Sequence, residues 1–300
     1  MTIYQNIDKN RQETFLVMLG FTAVVCLVSW FIGEYYFQGS GYFMTGIALI
    51  FSGISSFVSY YFSDSIVLSI SGAVKANPVI HRDLLNLVQN MSIASGIKMP
   101  RVYLIDDTAM NAFATGRDQD HSVIVFTTGI VSSLEKRELE GVVAHEMSHI
   151  GNQDILLMSI VSVLVGTVTL LSDWFTRGAL YGGGRKRSNS NNEGSGIIFL
   201  IGIVLILLSP LIATLIKLAI GRNREYLADS TAALITRYPL GLANALRKLA
   251  GDNEILEAAN GATAHLYIKS PIRGEAAGFF ANMFNTHPPI EDRIRRLENM

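Results

Sequence analysis

The sequence predicts a mainly α-helical membrane protein, with four transmembrane helices and a mixed α+β domain that carries a small β-sheet. Hydrophobic residues make up 49% of its 300 residues and charged residues only 16%, whereas soluble domains usually carry about 25% charged residues. Four long uncharged stretches account for this deficit, and short runs of β-branched residues between them indicate the strands. The net charge of −1 does not suggest a nucleic-acid partner.

The four uncharged stretches are long enough to cross a membrane as helices. Their apolar parts span 14–33, 42–62, 155–172 and 194–216, the last continuing past Lys217 to residue 220. Each has about 18 residues or more, which as a helix covers a hydrocarbon core of about 30 Å. The first starts late and lacks an A-x-A-like cleavage site, so we interpret it as a retained helix and not as a signal peptide. For the third, a buried core helix is the alternative.

Four crossings divide the chain into four segments. Residues 1–62 are predicted to form an N-terminal transmembrane hairpin, 63–154 the first half of the mixed domain, 155–220 a second hairpin and 221–300 the second half of the domain. A loop rich in Gly, Ser and Asn at 173–196 would join the helices of the second hairpin on the opposite face. Nine Lys and Arg residues near the helix ends lie on the domain's face and four on the other. Because positive charge favours the cytoplasmic side, the domain is predicted to be cytosolic.

Local signals divide the first half of the domain into helices and strands. Asn77 and Pro78 suit a helix start, and Gly96 suits the end of that helix. The runs "RVYLIDD" and "SVIVFTT" are rich in β-branched and aromatic residues and predict strands, and "NAFATG" between them predicts a third short strand or hairpin arm. Ser132 and Glu135 resemble a capping box at the start of a helix over about 135–151.

This last helix contains "VVAHEMSHI", in which His145 and His149 are four residues apart. On a helix they lie one turn apart on one face, so both imidazoles can bind one metal ion, and zinc accepts such ligands. Glu146 lies about 100° around the helix, where its carboxylate can act as a general base without coordinating the metal. This is the H-E-x-x-H arrangement of zinc hydrolases. A structural helix with two solvated histidines is the alternative.

A catalytic zinc needs a third protein ligand, and "GRNREYLADS" after the fourth apolar stretch offers Glu225. With a helical rise of about 1.5 Å per residue, His149 lies about 9 Å before the third stretch and Glu225 about 7.5 Å beyond the fourth. An antiparallel hairpin would therefore bring both to a similar height above one membrane face. Asp229 and Asp154 are candidates for accepting a hydrogen bond from a ligating histidine; the alternative for each is a helix-surface acid.

Two further motifs have candidate roles. In "THPPIEDRI", two prolines stiffen the chain after His287, which could donate to an oxyanion, and Arg293 could orient groups or neutralise charge there. A surface residue at a helix start is the alternative for His287. The "NAFATG" segment could be an edge strand that pairs with an extended substrate, or an ordinary core strand.

With these motifs the chain resembles the HtpX-type membrane zinc peptidases, relatives of the CAAX prenyl endopeptidases. The resemblance covers nearly the whole chain, with four hydrophobic runs and "NAFATG", "VVAHEMSHI", "NREYLADS" and "THPPIEDRI" in the family's order. It implies a zincin-like catalytic domain with one zinc ion and Glu146 as the base. The implied zinc ligands are His145, His149 and Glu225. The resemblance implies that His287 and Arg293 stabilise the tetrahedral intermediate, and that Asn111, Ala112 and Phe113 line the substrate cleft.

The resemblance also implies a function. It predicts hydrolysis of misfolded or damaged membrane proteins at the cytoplasmic face of a bacterial inner membrane, with a link to heat shock. A CAAX-type prenyl-protein endopeptidase would share these residues, and an inactive membrane adaptor with a retained zinc is a third hypothesis. The expected partners are the lipid bilayer and polypeptide substrates. No nucleotide is expected, because "GGGRKRS" lacks the ending of a phosphate-binding loop.

Overall fold

The computed structural model describes residues 3–36, 39–167, 221–259, 263–269 and 288–300. The predicted outer loop at 173–196, the fourth apolar stretch and His287 lie outside these residues. The described part is mostly helical and contains one small mixed sheet, as predicted.

An N-terminal helical hairpin consists of α1 (Ile3–Tyr36) and α2 (Gly41–Ile70). Both helices are long and apolar enough to cross a membrane, and they correspond to the first two predicted spans. Large apolar side chains cover their outer surfaces, among them Phe15, Leu27, Phe43, Ile50 and Phe57. The buried face of α2 has small side chains that permit close helix packing, namely Ala48, Ser52, Ser56, Ser59 and Ser63.

The third apolar stretch differs from the first two. Its described part belongs to helix α6 (Asp154–Thr167), which follows α5 (Lys136–Gly151) at an angle of 85°. The side chains from Ile155 to Gly166 are buried inside the protein, which matches the alternative of a core helix. The described residues therefore contain two candidate membrane spans, or three if the bent pair of helices forms one. Four transmembrane helices stay a prediction.

The sheet has four strands in the order β1 (Val74–Lys75), β2 (Arg101–Ile105), β4 (Ser122–Thr127) and β3 (Ala112–Gly116). Strand β2 pairs parallel to β4, and β1 and β3 pair antiparallel to their neighbours. The three strands predicted from β-branched composition and from "NAFATG" are thus confirmed, with β3 at one edge.

Strand β4 lies between two apolar clusters, because successive side chains of a strand point to opposite faces of the sheet. Ile124 and Phe126 belong to a cluster that includes side chains of α5. Val123 and Val125 belong to the cluster that includes side chains of α1, α2 and α6. Burial on both faces explains why this strand is an unbroken apolar run.

Helix boundaries depend on individual polar side chains. Helix α3 (Arg82–Ser95) ends at Gly96 with φ of +69°, as predicted. It begins four residues later than the predicted start at Asn77 and Pro78, because Asn77 Oδ1 accepts from the backbone N–H groups of residues 79 and 80 in a separate turn. The predicted capping box is displaced by one turn. Glu135 and Glu138 form the box at the start of α5, because Thr127 caps a separate short helix, α4 (Thr128–Ser133).

Three further helices complete the described part: α7 (Arg222–Thr236), α8 (Pro239–Gly251) and α9 (Ile290–Glu298). Helices α7 and α8 pack against α5, and α9 packs against α8 and α7. The contact between α5 and α8 is unusually close. A Cβ atom added at Gly141 would lie 2.6 Å from the backbone nitrogen of Leu242, and one at Gly241 would lie 2.5 Å from the carbonyl oxygen of Arg137. The two glycines therefore allow α8 to lie directly against the helix that carries the histidines.

Candidate active site

Three side chains converge between α5 and α7. His145 and His149 lie on α5, and Glu225 lies in the first turn of α7. All three are buried, and their candidate ligand atoms lie within 4.8 Å of one another. The two Nε2 atoms are 3.3 Å apart, and each is 3.7 Å from an oxygen of Glu225. Two imidazoles and one carboxylate, at separations close to those of neighbouring ligands around one ion with bonds of about 2.0–2.1 Å, fit a zinc ion.

The far side of each imidazole is held by a carboxylate. His149 Nδ1 lies 3.0 Å from Asp154 Oδ2, and His145 Nδ1 lies 3.0 Å from Asp229 Oδ1. When each Nδ1–H donates to its carboxylate, each Nε2 is left with a lone pair that points to the common centre. The structure thus places Asp229 and Asp154 behind the two histidines.

The guanidinium of Arg293, from α9, lies behind the centre and is fully buried. Its Nε and Nη2 donate to the two oxygens of Asp229 at 2.9 and 2.7 Å, and its Nη1 is 3.1 Å from Glu225 Oε2. Burial opposes the charge of Arg293, but Asp229 and Glu225 hold its pKa above its ordinary value. These contacts hold the two carboxylates of Asp229 and Glu225 in place. Its predicted contact with a reaction intermediate stays a prediction.

The carboxyl group of Glu146 is buried beside the centre and accepts a hydrogen bond from the backbone N–H of Ala114 on β3. Burial raises the pKa of Glu146 to about 7, and the positive charge of His149 partly counteracts this effect. A carboxyl group with a pKa near neutrality can both accept and return a proton under physiological conditions.

The charges around the histidines favour a cation. Burial opposes the charge of His149, but the hydrogen bond to Asp154 and the charge of Glu225 raise its pKa to about 9. Burial and the nearby Arg293 lower the pKa of His145. The carboxylates of Glu225, Asp154 and Asp229 thus lie around the two imidazoles, and Arg293 balances part of their negative charge.

Strand β3 borders the site, and all five of its residues are buried. The Ala112 carbonyl accepts from the backbone N–H of Ile268 at 3.0 Å, and the Asn111 side chain donates to the carbonyl of Lys269 at 2.9 Å. Phe113 packs edge-on against Tyr267, with ring centroids 5.0 Å apart. The strand is at the sheet edge, as the substrate-pairing hypothesis requires, while its burial matches the core-strand alternative. A substrate role for Asn111, Ala112 and Phe113 stays a prediction.

Two polar residues near the site were not predicted from the sequence. Asn10 on α1 and Arg224 on α7 both contact Asp154 Oδ1, at 2.7 and 3.4 Å. One available signal was the polar run "NRQE" at residues 10–13, directly before an apolar stretch. The other was the position of Arg224 beside a candidate metal ligand.

Comparison with known proteins agrees with this geometry. The profile described as "Peptidase family M48" matches residues 78–300. A "Protease HtpX homolog" from Thermoanaerobacter pseudethanolicus is 40% identical over 302 residues, covering 100% of this chain and 98% of the relative. Proteins with the same description from Tropheryma whipplei and Ligilactobacillus salivarius are 42% and 40% identical, covering 99% of this chain and 98% and 100% of the relatives.

Among solved structures, the crystal structure of S. mikatae Ste24p aligns with a TM-score of 0.49 at 16% identity, covering 98% of this chain and 67% of that one. The family profile spans most of the chain, and the full-length relatives are about 40% identical to it. This chain therefore belongs to peptidase family M48 and is a membrane metalloprotease similar over its full length to the HtpX homologues.

Proposed function

We propose that this metalloprotease uses zinc and cleaves misfolded or damaged membrane proteins at the cytoplasmic face of a bacterial inner membrane. The observation that carries the proposal is the convergence of His145, His149 and Glu225 with a buried Glu146 beside them. Structural zinc sites close with a fourth protein ligand, whereas catalytic sites keep one position open. Three ligands and an adjacent carboxyl group are typical of a hydrolytic site.

Zinc is the metal that this donor set suits best, since it combines imidazole nitrogen and carboxylate oxygen without redox chemistry. When bound, zinc supplies Lewis acidity, which polarises a scissile carbonyl and lowers the pKa of a water molecule toward about 7. The ligand roles of His145, His149 and Glu225 follow from this assignment. Asp229 and Asp154 orient the two histidines by accepting from their Nδ1–H groups.

Glu146 performs the proton transfers. Its carboxylate accepts a proton from the attacking water, and its carboxyl group then returns that proton to the leaving amine. Both forms of the carboxyl group must be accessible for these steps. Burial raises the pKa of Glu146 and so opposes the lowering of that pKa by a nearby metal cation. The hydrogen bond from Ala114 holds the carboxyl group in one orientation while the proton moves.

Substrate binding and oxyanion stabilisation involve other segments. We assign Asn111, Ala112 and Phe113 to the substrate cleft, because β3 is the sheet edge nearest to Glu146. His287 supplies a donor to the tetrahedral intermediate, and Arg293 acts indirectly by holding Glu225 and Asp229. Residues 1–62 and 155–220, the latter beginning with the buried helix α6, form the proposed membrane part of the enzyme, and 63–154 and 221–300 its proposed cytosolic catalytic domain.

Proteoliposomes test this function. Wild type and Glu146→Gln, each with zinc, are incubated with a destabilised membrane protein and with its stable parent. We expect the wild type to cleave the destabilised protein faster than the parent, and Glu146→Gln to cleave neither. Equal cleavage of both would contradict the proposed substrate class. Cleavage restricted to a prenylated C-terminal peptide would indicate a CAAX-type enzyme instead.

A further inference from the structure

Asn10, on the predicted first membrane helix, is buried although its chain neighbours are exposed. Only 4% of its surface is accessible, whereas Lys9, Arg11 and Gln12 face outward. A buried amide is costly unless its polar atoms find partners. The partners of Asn10 come from two distant segments that carry the metal-site residues.

The amide of Asn10 makes three hydrogen bonds in the catalytic domain. Its Nδ2 donates to Asp154 Oδ1 at 2.7 Å and to the carbonyl of Asn152 at 2.9 Å. Its Oδ1 accepts from Arg224 Nη2 at 2.7 Å. Asn152 and Asp154 directly follow the first ligand helix, and Arg224 directly precedes Glu225. One side chain of α1 therefore contacts both ligand-bearing segments.

Asp154 connects Asn10 to His149, one of the proposed metal ligands. The Oδ2 atom of Asp154 is the hydrogen-bond partner of His149, and Asn10 and Arg224 approach its Oδ1 atom. A carboxylate held at one oxygen cannot rotate its other oxygen freely. Asn10 thus fixes the orientation of Asp154, and Asp154 fixes the imidazole of His149.

Other residues of α1 support this arrangement. Arg11 Nε donates to Gln153 Oε1 at 3.0 Å, and Gln153 has a φ of +58° at the bend between α5 and α6. Glu13 forms an ion pair with Arg224. Helix α1 thus braces the backbone bend that follows His149 as well as the start of α7.

From these contacts we infer that Asn10 is a positioning residue for the metal ligand His149, acting through Asp154. The inference rests on the proposed role of His149 as a metal ligand. It makes the N-terminal membrane helix part of the metal centre and not merely an anchor. A helix that served only as an anchor would affect insertion or stability, but not the affinity of the folded enzyme for metal.

Zinc affinity of the full chain in detergent, measured by competition with a chromophoric chelator, tests this inference. Losing an outer partner of a metal ligand typically weakens affinity by about 10- to 100-fold, and we expect about 10-fold for Asn10→Ala. The matched control is Gln12→Ala, which removes an exposed amide two residues away and should bind zinc like wild type. Equal affinities for Asn10→Ala and Gln12→Ala would overturn the inference.

A double-mutant cycle tests the route through Asp154. If Asn10 acts by orienting Asp154, then combining Asn10→Ala with Asp154→Asn should weaken zinc binding little more than Asp154→Asn alone. Additive losses would overturn the inference. The visible spectrum of the cobalt-substituted enzyme gives a second readout, since it reports the coordination geometry. It should change in Asn10→Ala and not in Gln12→Ala.

A folding defect of the variant and a failure of the proposed function can both be distinguished from a failure of the positioning role. If Asn10→Ala does not fold, Asn10→Ser, which keeps a small polar group, is used instead in the chelator competition and in the double-mutant cycle. A wild type that binds zinc but cleaves no peptide would refute the proposed function while the test of Asn10 proceeds. A wild type that binds no zinc would refute both. Normal zinc binding by the Asn10 variant would refute only the positioning role.

Discussion

Arg293 and Glu225 face each other inside the protein, with Nη1 of the guanidinium 3.1 Å from Oε2 of the carboxylate. Both side chains are buried, so neither charge can be compensated by water. Glu225, the proposed metal ligand, is thus also paired with the guanidinium of Arg293. The same guanidinium donates two hydrogen bonds to Asp229.

Removing Arg293 should therefore destabilise the protein. Arg293→Met leaves Asp229 and Glu225 with uncompensated charge, and breaking a buried ion pair in this way costs about 3–5 kcal/mol. Arg293→Lys keeps the charge but loses the bidentate contact with Asp229, so it should lower the stability less than Arg293→Met does. Thermal unfolding in detergent measures both. Arg295→Met, on the exposed side of the same helix, is the control and should change stability by less than about 0.5 kcal/mol.

Glu225 and Glu146 should respond differently to substitution. Glu225→Ala removes a proposed ligand and should lose zinc together with activity. Glu146→Gln keeps the three ligands and should retain zinc while hydrolysis is abolished. Metal analysis of the purified proteins distinguishes the two, and equal zinc in wild type and Glu225→Ala would remove Glu225 from the ligand set.

The raised pKa of Glu146 predicts a pH-dependent stability of the chelator-treated protein. Burial holds the folded-state pKa at about 7, above the ordinary value of 4.5, so the folded state retains a proton that the unfolded state has released. Relative to Glu146→Gln, wild type should therefore lose stability as the pH rises from about 4.5 to about 7, by up to about 3 kcal/mol. Unfolding temperatures of both proteins at pH 5 and pH 8 measure this, and a constant difference would contradict the shift.

His287 should act on the transition state and not on the metal. His287→Phe keeps a ring of similar size without the donor, and loss of one oxyanion donor typically lowers kcat by about 10²- to 10³-fold. We expect kcat and kcat/KM to fall together with KM nearly unchanged and with wild-type zinc content. Loss of zinc would make His287 a ligand, and an unchanged kcat would leave it a helix-start residue.

The cytosolic orientation can be tested by cysteine labelling. In a Cys26→Ser background, a cysteine at Asn253, which is exposed on the catalytic domain, should resist an impermeant thiol reagent in intact cells. A cysteine at Ser190, in the predicted outer loop, should react. The reverse pattern would invert the topology, and protection of both would indicate that the second hairpin does not cross.

Local sequence patterns predicted helix α5 and the strands β2, β3 and β4. On a helix, the four-residue spacing places His145 and His149 on the same face. The β-branched composition of β2 and β4 favours strands. The third apolar stretch was harder to interpret, because an uncharged run has the same composition in lipid and in a protein core. Burial of α6 depends on its contacts with the sheet and α1, which no local pattern encodes.

The outer contacts of the site could be predicted only in part. Asp154 follows His149 by five residues, and Asp229 lies one helical turn after Glu225, so both were candidates from their positions beside proposed ligands. The contact of Asp229 with His145, 84 residues earlier in the chain, depends on tertiary packing. Asn10 could not be found in this way, since Asp154 and Arg224 are 144 and 214 residues distant from it. A polar residue before an apolar run is common at membrane surfaces, and only tertiary packing distinguishes this one.

The tight seam between α5 and α8 has a genetic consequence. Any side chain at Gly141 would collide with the backbone of Leu242, and the resulting displacement of α5 would move His145, which lies one helical turn further along. In a screen for loss of proteolysis, substitutions at this glycine would be recovered alongside those of the histidines, although residue 141 has no side chain that could bind a metal. We therefore expect residue 141 to tolerate no residue larger than glycine, since it contributes to the fold through the absence of a side chain.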